Sequence, residues 1–479
     1  MSTLRAIRLL NSVEAALTDS TALQTILSDT GRLSEFSVLM SMRGQARRMA
    51  ASTVTVDTFI NCPIALNQVF ADTDLNNPVV AQAILKKQTA MVLVSADRNT
   101  LTIVMQNPTS AGLLKVSPFF ETYIKEIISN LTPALVSTDY ATVQDLVTNN
   151  AAMGVILDIS GAVQVIIASP TTFAFVSADL SIMALLVDSS VAVNLVAASQ
   201  VSMSSVAASA NAMNAIVSSS IAMPIITASS VAMTAIGANA AALTNLFSSS
   251  FFAANRKNVI ANLAGLIPTD YADINAMIDD AAAVTAIVGS TNAVSALATD
   301  SAALSYLATS ANLGIVLNST VAMAILGPNV TAMTAFLGNP DAWVPLFAST
   351  SVKGFIIAST ALVDVVAGTP DLITYLGTLA VSQSPGVVPD GQSGVFQTFP
   401  GLPASILTLS VKEVGIAATF STFNLSGAAF AGTAAQEDLR VSSQVPKDHV
   451  AAYTDVLWDF QGAGVTAATQ PIVTFVDMT

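Results

Sequence analysis

The sequence predicts a mainly α fold: a solenoid of short helices built from ten-residue repeats, followed by a small C-terminal β-sandwich domain. Three observations carry this. Residues 151–250 align with themselves every ten positions, so a residue's place in its unit is the last digit of its number. Apolar residues hold places 3, 6 and 7, with Ala favoured at place 2. After residue 404 the pattern changes to apolar–polar alternation, the period of half-buried strands.

Each choice within the unit has a physical reason. Place 3 reads Met153, Val163, Phe173, Met183, Val193, Met203, Met213, Met223, Met233 and Leu243; place 6 is equally apolar, from Ile156 to Leu246. A continuous helix advances about 100° per residue, so a ten-residue period would carry its apolar face around the rod and leave no fixed seam to bury. Spacing of i, i+3, i+4 is one face of a short helix. Ser, Thr, Asn and Asp gather at places 8 to 10, where they would cap the next helix. Pro170, Pro340 and Pro370 end their decads, where they would break a running helix, whereas Pro224 and Pro345 require a first-turn position. Two turns of helix and a tight turn, stacked on their neighbours, satisfy all of this. A β-solenoid is the alternative, since Val and Ile are common.

In chain order, residues 1–150 read as an N-terminal cap of degenerate repeats and an attachment region. Its first decads keep Leu23 with Ile26 and Leu33 with Phe36; Phe119, Phe120 and Tyr123 suggest a small local core. The solenoid proper spans 151–380 and is interrupted at 251–280. It resumes one place late (Val284 with Ile287) and returns to phase at Leu313 with Val316. Trp343 takes a Met place and reads as core. Residues 381–403 read as a linker from their Pro, Gly and Ser content. Residues 404–479 form the β domain, with Phe423, Tyr453, Trp458 and Phe475 as its core.

Composition narrows the function. Apolar residues make up 53% and charged residues 10%, with a net charge of −14, which argues against nucleic acid as the partner. No charge occurs between Asp188 and Arg256, so that segment is either covered by other subunits or kept soluble by its serines. Polar clusters interrupt the apolar runs every ten residues, too often for a membrane span. The first twenty residues lack the apolar core of a signal peptide. A single cysteine, Cys62, makes neither an internal disulfide nor a cysteine-based zinc site. Asp270, Asp273, Asp279 and Asp280 do not follow calcium-loop spacing.

Candidate chemistry is sparse. The one histidine, His449, adjoins Asp448, and neighbouring side chains do not face each other as a base and its orienting carboxylate must. No nucleophile elbow, phosphate-binding loop or dinucleotide motif is present. The expectation is a non-enzymatic protein without catalytic, cofactor or metal residues. The only dense basic cluster, Arg43, Arg47 and Arg48, is a candidate docking patch for an acidic partner; a solvated helix face is the plainer reading.

The runs Ser219-Ser220-Ile221-Ala222-Met223, Ser229-Ser230-Val231-Ala232-Met233 and Ser319-Thr320-Val321-Ala322-Met323 resemble the Ala/Met/Ser decapeptide repeats of structural and tail-fibre-like proteins of tailed bacteriophages. The resemblance covers about 151–250 and 281–380, and the N-terminal part weakly. It implies a virion component: a fibre or appendage that spaces a C-terminal binding domain from the particle, or a capsid-decoration or tail–baseplate scaffold. Other virion proteins and a host-surface receptor or glycan are the implied partners, and homo-oligomers are compatible with it. No site residue carries over, because the pattern defines a rod. Two or three decads per layer, with helices about 8–10 Å apart, give a rod on the order of 100–200 Å.

Overall fold

The computed structural model describes residues 16–71, 77–383 and 471–478, and the strand segments 397–398, 406–413, 420–426, 437–441, 447–453 and 455–461. The chain divides into two compact units, Met1–Asn255 and Arg256–Thr479.

The decads of both units are helices, not β-coils. Helices such as Pro170–Ala178, Leu180–Asp188, Ser190–Ala197 and Gln200–Ala208 each fill one unit. Helices this short are unstable alone because nucleation outweighs so few hydrogen bonds. They persist by burying places 2, 3, 6 and 7, as Ile182, Met183, Leu186 and Val187 show. Successive helices meet at corners of 97° (Pro78–Leu85 with Gln88–Ala96) to 115° (Ser230–Gly237 with Ala240–Phe247). Three corners of roughly this size turn the chain full circle. Each helix accordingly packs on the third one along: Leu180–Asp188 on Ala210–Val217 and Gln200–Ala208 on Ser230–Gly237 in the first unit, Ser301–Thr309 on Val330–Leu337 in the second.

Place 9 explains itself once three decads make a layer. The Ser229 hydroxyl oxygen accepts from the Ala232 amide, capping its own helix. The same hydroxyl donates to the Ala197 carbonyl in the layer below, at 2.6 Å. Ser219 does this with Val187 (3.2 Å), Ser249 with Val217 (2.5 Å), and Ser209 with Ser177. In the second unit Asn339 substitutes for serine, its amide nitrogen donating to Ala308 at 2.6 Å. A helix leaves its last carbonyls without partners, and this ladder satisfies one in each helix it reaches. Asp179 caps through its carboxylate but carries no proton to donate, so at place 9 an aspartate serves one helix where serine serves two.

The prolines follow the same frame. Pro170, Pro340 and Pro370 are the first residues of their helices, where no amide is needed. Pro224 lies in the first turn of Ala222–Ala228. Pro345, expected in a first turn, instead lies inside Pro340–Ala348. Its place is half-buried at the edge of the packed face, and the carbonyl left without a donor belongs to exposed Asp341, where water can reach it. Trp343 is buried, its Nε1 donating to the Leu337 carbonyl at 2.7 Å and its ring against Tyr375.

The N-terminal part keeps the decad rhythm from Ser20–Leu27 to Pro108–Lys115. Each unit also holds one irregular layer. In the first, a longer helix Phe120–Leu131 leads to a 3-10 turn Ser137–Asp139 and a short helix Val143–Val147. In the second, Phe252–Leu263 leads to Pro268–Asp270 and Ile274–Asp279.

The last part of the second unit is extended. Strands β1 (Val381–Gln383), β2 (Gln397–Thr398), β3 (Ile406–Glu413), β4 (Phe420–Ser426), β5 (Glu437–Val441), β6 (Lys447–Tyr453), β7 (Asp455–Gln461) and β8 (Pro471–Asp477) pair antiparallel in the orders β1-β8-β3-β6 and β2-β7-β4-β5. Most of the expected linker, and the side chains of Phe423, Tyr453 and Trp458, lie outside the described residues; Phe475 is buried. Among the described residues no single helix is long and apolar enough to cross a membrane.

Candidate functional site

The basic cluster lies on the helix Arg43–Ala51. Ala46 and Met49 face the core, which turns Arg43, Arg47 and Arg48 outward, and all three are exposed. Arg43 and Arg47 are four apart and share a face. Arg43 opens the helix, where a cation opposes the positive end of the dipole, and the preceding Met42 provides no side-chain cap. Helix stability alone would favour neither residue there. In the chain just before this helix, Val38 and Met42 are each 40% exposed.

Arg48 turns toward a cleft of about 400 Å³ lined by Leu17, Thr18, Gln45, Met49, Ala51, Ser52 and Thr55. The Thr55 hydroxyl donates to Ser52 Oγ at 2.9 Å, so these two groups are already engaged. The lining offers one guanidinium, an amide and hydroxyls. Among the described residues it contains no carboxylate, imidazole or thiol. These groups can donate hydrogen bonds to a polar or anionic surface.

The other candidates are placed as follows. His449 lies in β6, with its side chain outside the described residues. The Cys62 thiol is buried, donates to Gln24 Oε1 at 3.2 Å, and burial pushes its pKa up, away from the reactive thiolate. Asp273 caps Ala276 and Asp280 caps Ala282. Asp280 also accepts from the Tyr271 hydroxyl, and Asp279 from Tyr306 at 2.8 Å. The Asp279 bond holds the Tyr306 pKa up; for Tyr271 desolvation is the larger cause, ahead of its bond to Asp280. Among the described residues, no three His, Cys, Asp or Glu side chains converge as a metal site.

A feature unmarked by decad periodicity is that the two irregular layers are copies of each other. Ser117, Phe119, Phe120, Lys125, Ile128, Asn130 and Leu131 correspond to Ser249, Phe251, Phe252, Lys257, Ile260, Asn262 and Leu263. Thr138-Asp139-Tyr140-Ala141 then corresponds to Thr269-Asp270-Tyr271-Ala272. The geometry repeats with the residues. Lys125 donates to the Tyr140 carbonyl at 3.0 Å and Lys257 to that of Tyr271 at 2.9 Å. Ser117 and Ser249 each donate to the layer below, to Leu85 and Val217. Ten-residue periodicity makes both stretches look irregular; comparing the two lapses directly reveals the pair. Searched against protein families and curated proteins, the chain has no match.

Proposed function

We propose that the chain is a non-enzymatic structural component of a phage virion, a fibre or appendage protein in which stacked decads space a C-terminal domain from the particle. The observation that supports this best is the use of place 9. The commonest polar groups of the repeat are directed inward to cap one helix and tie it to the next layer, so the repeat is a mechanical element. In this reading the two antiparallel sheets at the C-terminus face each other as a β-sandwich and bind a host-surface receptor or glycan. The N-terminal region attaches to the particle, with Arg43, Arg47 and Arg48 docking on an acidic surface.

A second reading, a decoration or baseplate scaffold, is favoured by the charge-free stretch after Asp188, where Val191, Val201 and Ile221 are exposed. Negative-stain imaging with light scattering separates the two: the fibre requires an extended particle, the scaffold a chain that is stable only against its neighbours. Deleting 400–479 is expected to leave particle assembly intact and abolish adsorption to the host. Unchanged adsorption removes the receptor-binding role.

A further inference from the structure

The two irregular layers agree at positions that packing does not explain. Buried matches such as Phe120 with Phe252 and Val147 with Ile278 are kept by the core. Most exposed positions of the decads that follow have diverged: Gly154 stands against Thr285, Asp158 against Gly289, Ala174 against Ser305 and Ala178 against Thr309, although Ala151 matches Ala282. Exposed Thr138-Asp139 and Thr269-Asp270 have not diverged. Among the described residues none of these four side chains is the donor or acceptor in a hydrogen bond that would account for it. Each pair follows an aliphatic residue held outward, Val136 at 56% exposure and Ile267 at 62%. A backbone hydrogen bond fixes the loop in both copies, from Asp139 to the Val136 carbonyl and from Asp270 to that of Ile267, each at 3.1 Å. The result is the same small surface twice: an aliphatic knob, a hydroxyl and a carboxylate on a short rigid turn.

We propose that these two loops are equivalent docking elements for a second copy of this chain, and that they receive its Arg43–Arg47 face. That face has the complementary chemistry. Two guanidinium groups on one side of a helix meet the carboxylate, and the exposed Met42 that directly precedes that helix, with exposed Val38 one turn before it in the chain, meets the aliphatic knob. Arginine suits the role because its planar fork pairs with a carboxylate through two hydrogen bonds. The contact joins different surfaces of the two copies, so it does not close on itself as a two-fold dimer does. One donor face and two acceptor loops per chain let copies add to one another. The inference rests on the docking-patch reading of the arginines and names their partner; it does not depend on the spacer or receptor roles.

The test is sedimentation velocity of the full chain across a concentration range at low and high salt. Association is expected to rise with concentration and to weaken at least tenfold at high salt, since exposed charges are screened. Arg43→Glu with Arg47→Glu, or Asp139→Arg with Asp270→Arg, is expected to weaken it at least tenfold. Mixing the two variant chains restores association between them, as does placing all four reversals in one chain. Circular dichroism checks that each variant keeps its helices. A wild-type chain that stays monomeric, association indifferent to either reversal, or reversals that fail to rescue one another would each overturn the proposal. Loss of particle attachment without any self-association would overturn it while leaving the docking patch in place for another partner.

Discussion

The irregular layers of the two units share a frame but differ on the buried side of their long helix. In Phe252–Leu263 and the residue after it, Ala261 and Ala264 sit where the first layer has Ser129 and Thr132. Both of those hydroxyls are buried without a hydrogen-bond partner, as is one carboxylate oxygen of Glu126, which stands where the second layer has Asn258. The exits differ as well. The second helix ends on Gly265 at φ 75°, with the Leu266 amide reaching back to the Ala261 carbonyl at 2.8 Å. Only glycine takes that conformation without strain. The first uses one residue more, turning through Pro133 with the Leu135 amide on the Thr132 carbonyl. Two sequences thus reach the same turn by different exits. The apolar residues and the lysine–carbonyl bond make the layer, and the buried hydroxyls of the first copy are additions that its twin does without.

The largest expected effect tests the shared frame. Ile128→Ala and Ile260→Ala, both at fully buried positions, should each lower stability by about 2–5 kcal/mol in urea denaturation. A loss confined to one of them would mean that the layers are not equivalent. Next come Lys125→Met and Lys257→Met, which keep the aliphatic stem and remove the charged donor to the Tyr140 or Tyr271 carbonyl. Each should lose about 1.5–3 kcal/mol, and hydrogen exchange should report loosening of the 3-10 turn. The third effect has opposite signs in the two copies. Ser129→Ala should leave the first layer unchanged or raise stability by about 1 kcal/mol, because it removes an unsatisfied hydroxyl, whereas Ala261→Ser should lower it by a similar amount. A clear loss from Ser129→Ala would show that the hydroxyl has a partner.

The smallest effect is in acid. The helix after the first layer is capped by Asn149, which does not titrate, and the helix after the second by Asp280. The Ala282 amide, then the Tyr271 hydroxyl, hold the Asp280 carboxyl below its ordinary range. Its contribution is therefore fully present above the unfolded value of about 3.9 and is lost as pH falls through the lower folded value. Hydrogen exchange should show the Ala281–Val288 helix fraying in that window. Asp280→Asn should remove the dependence.

Much of this was legible residue by residue. Met, Val and Ile at places 3 and 6 implied short helices, and Ser or Asn at place 9 implied caps, because capping and one-sided burial are local and need nothing beyond the neighbouring turn. Arg43 and Arg47 could be placed on one helix face for the same reason. The mid-helix position of Pro345 is not legible, because its tolerance depends on which carbonyls water can reach, a matter of packing. The cleft beside Arg48 could not be foreseen, since Thr18 and Ser52 meet only after the chain has turned between them.

The sequence by itself determined the period, the helix ends and the residues that would be buried. Only the tertiary structure decided that three decads close a layer, because that number comes from corner angles set by packing, not from any one unit. It also showed why serine outnumbers aspartate at place 9, since the second hydrogen bond crosses to a residue some thirty positions earlier. And it made one object of two irregular stretches, by showing the same lysine on the same carbonyl in both.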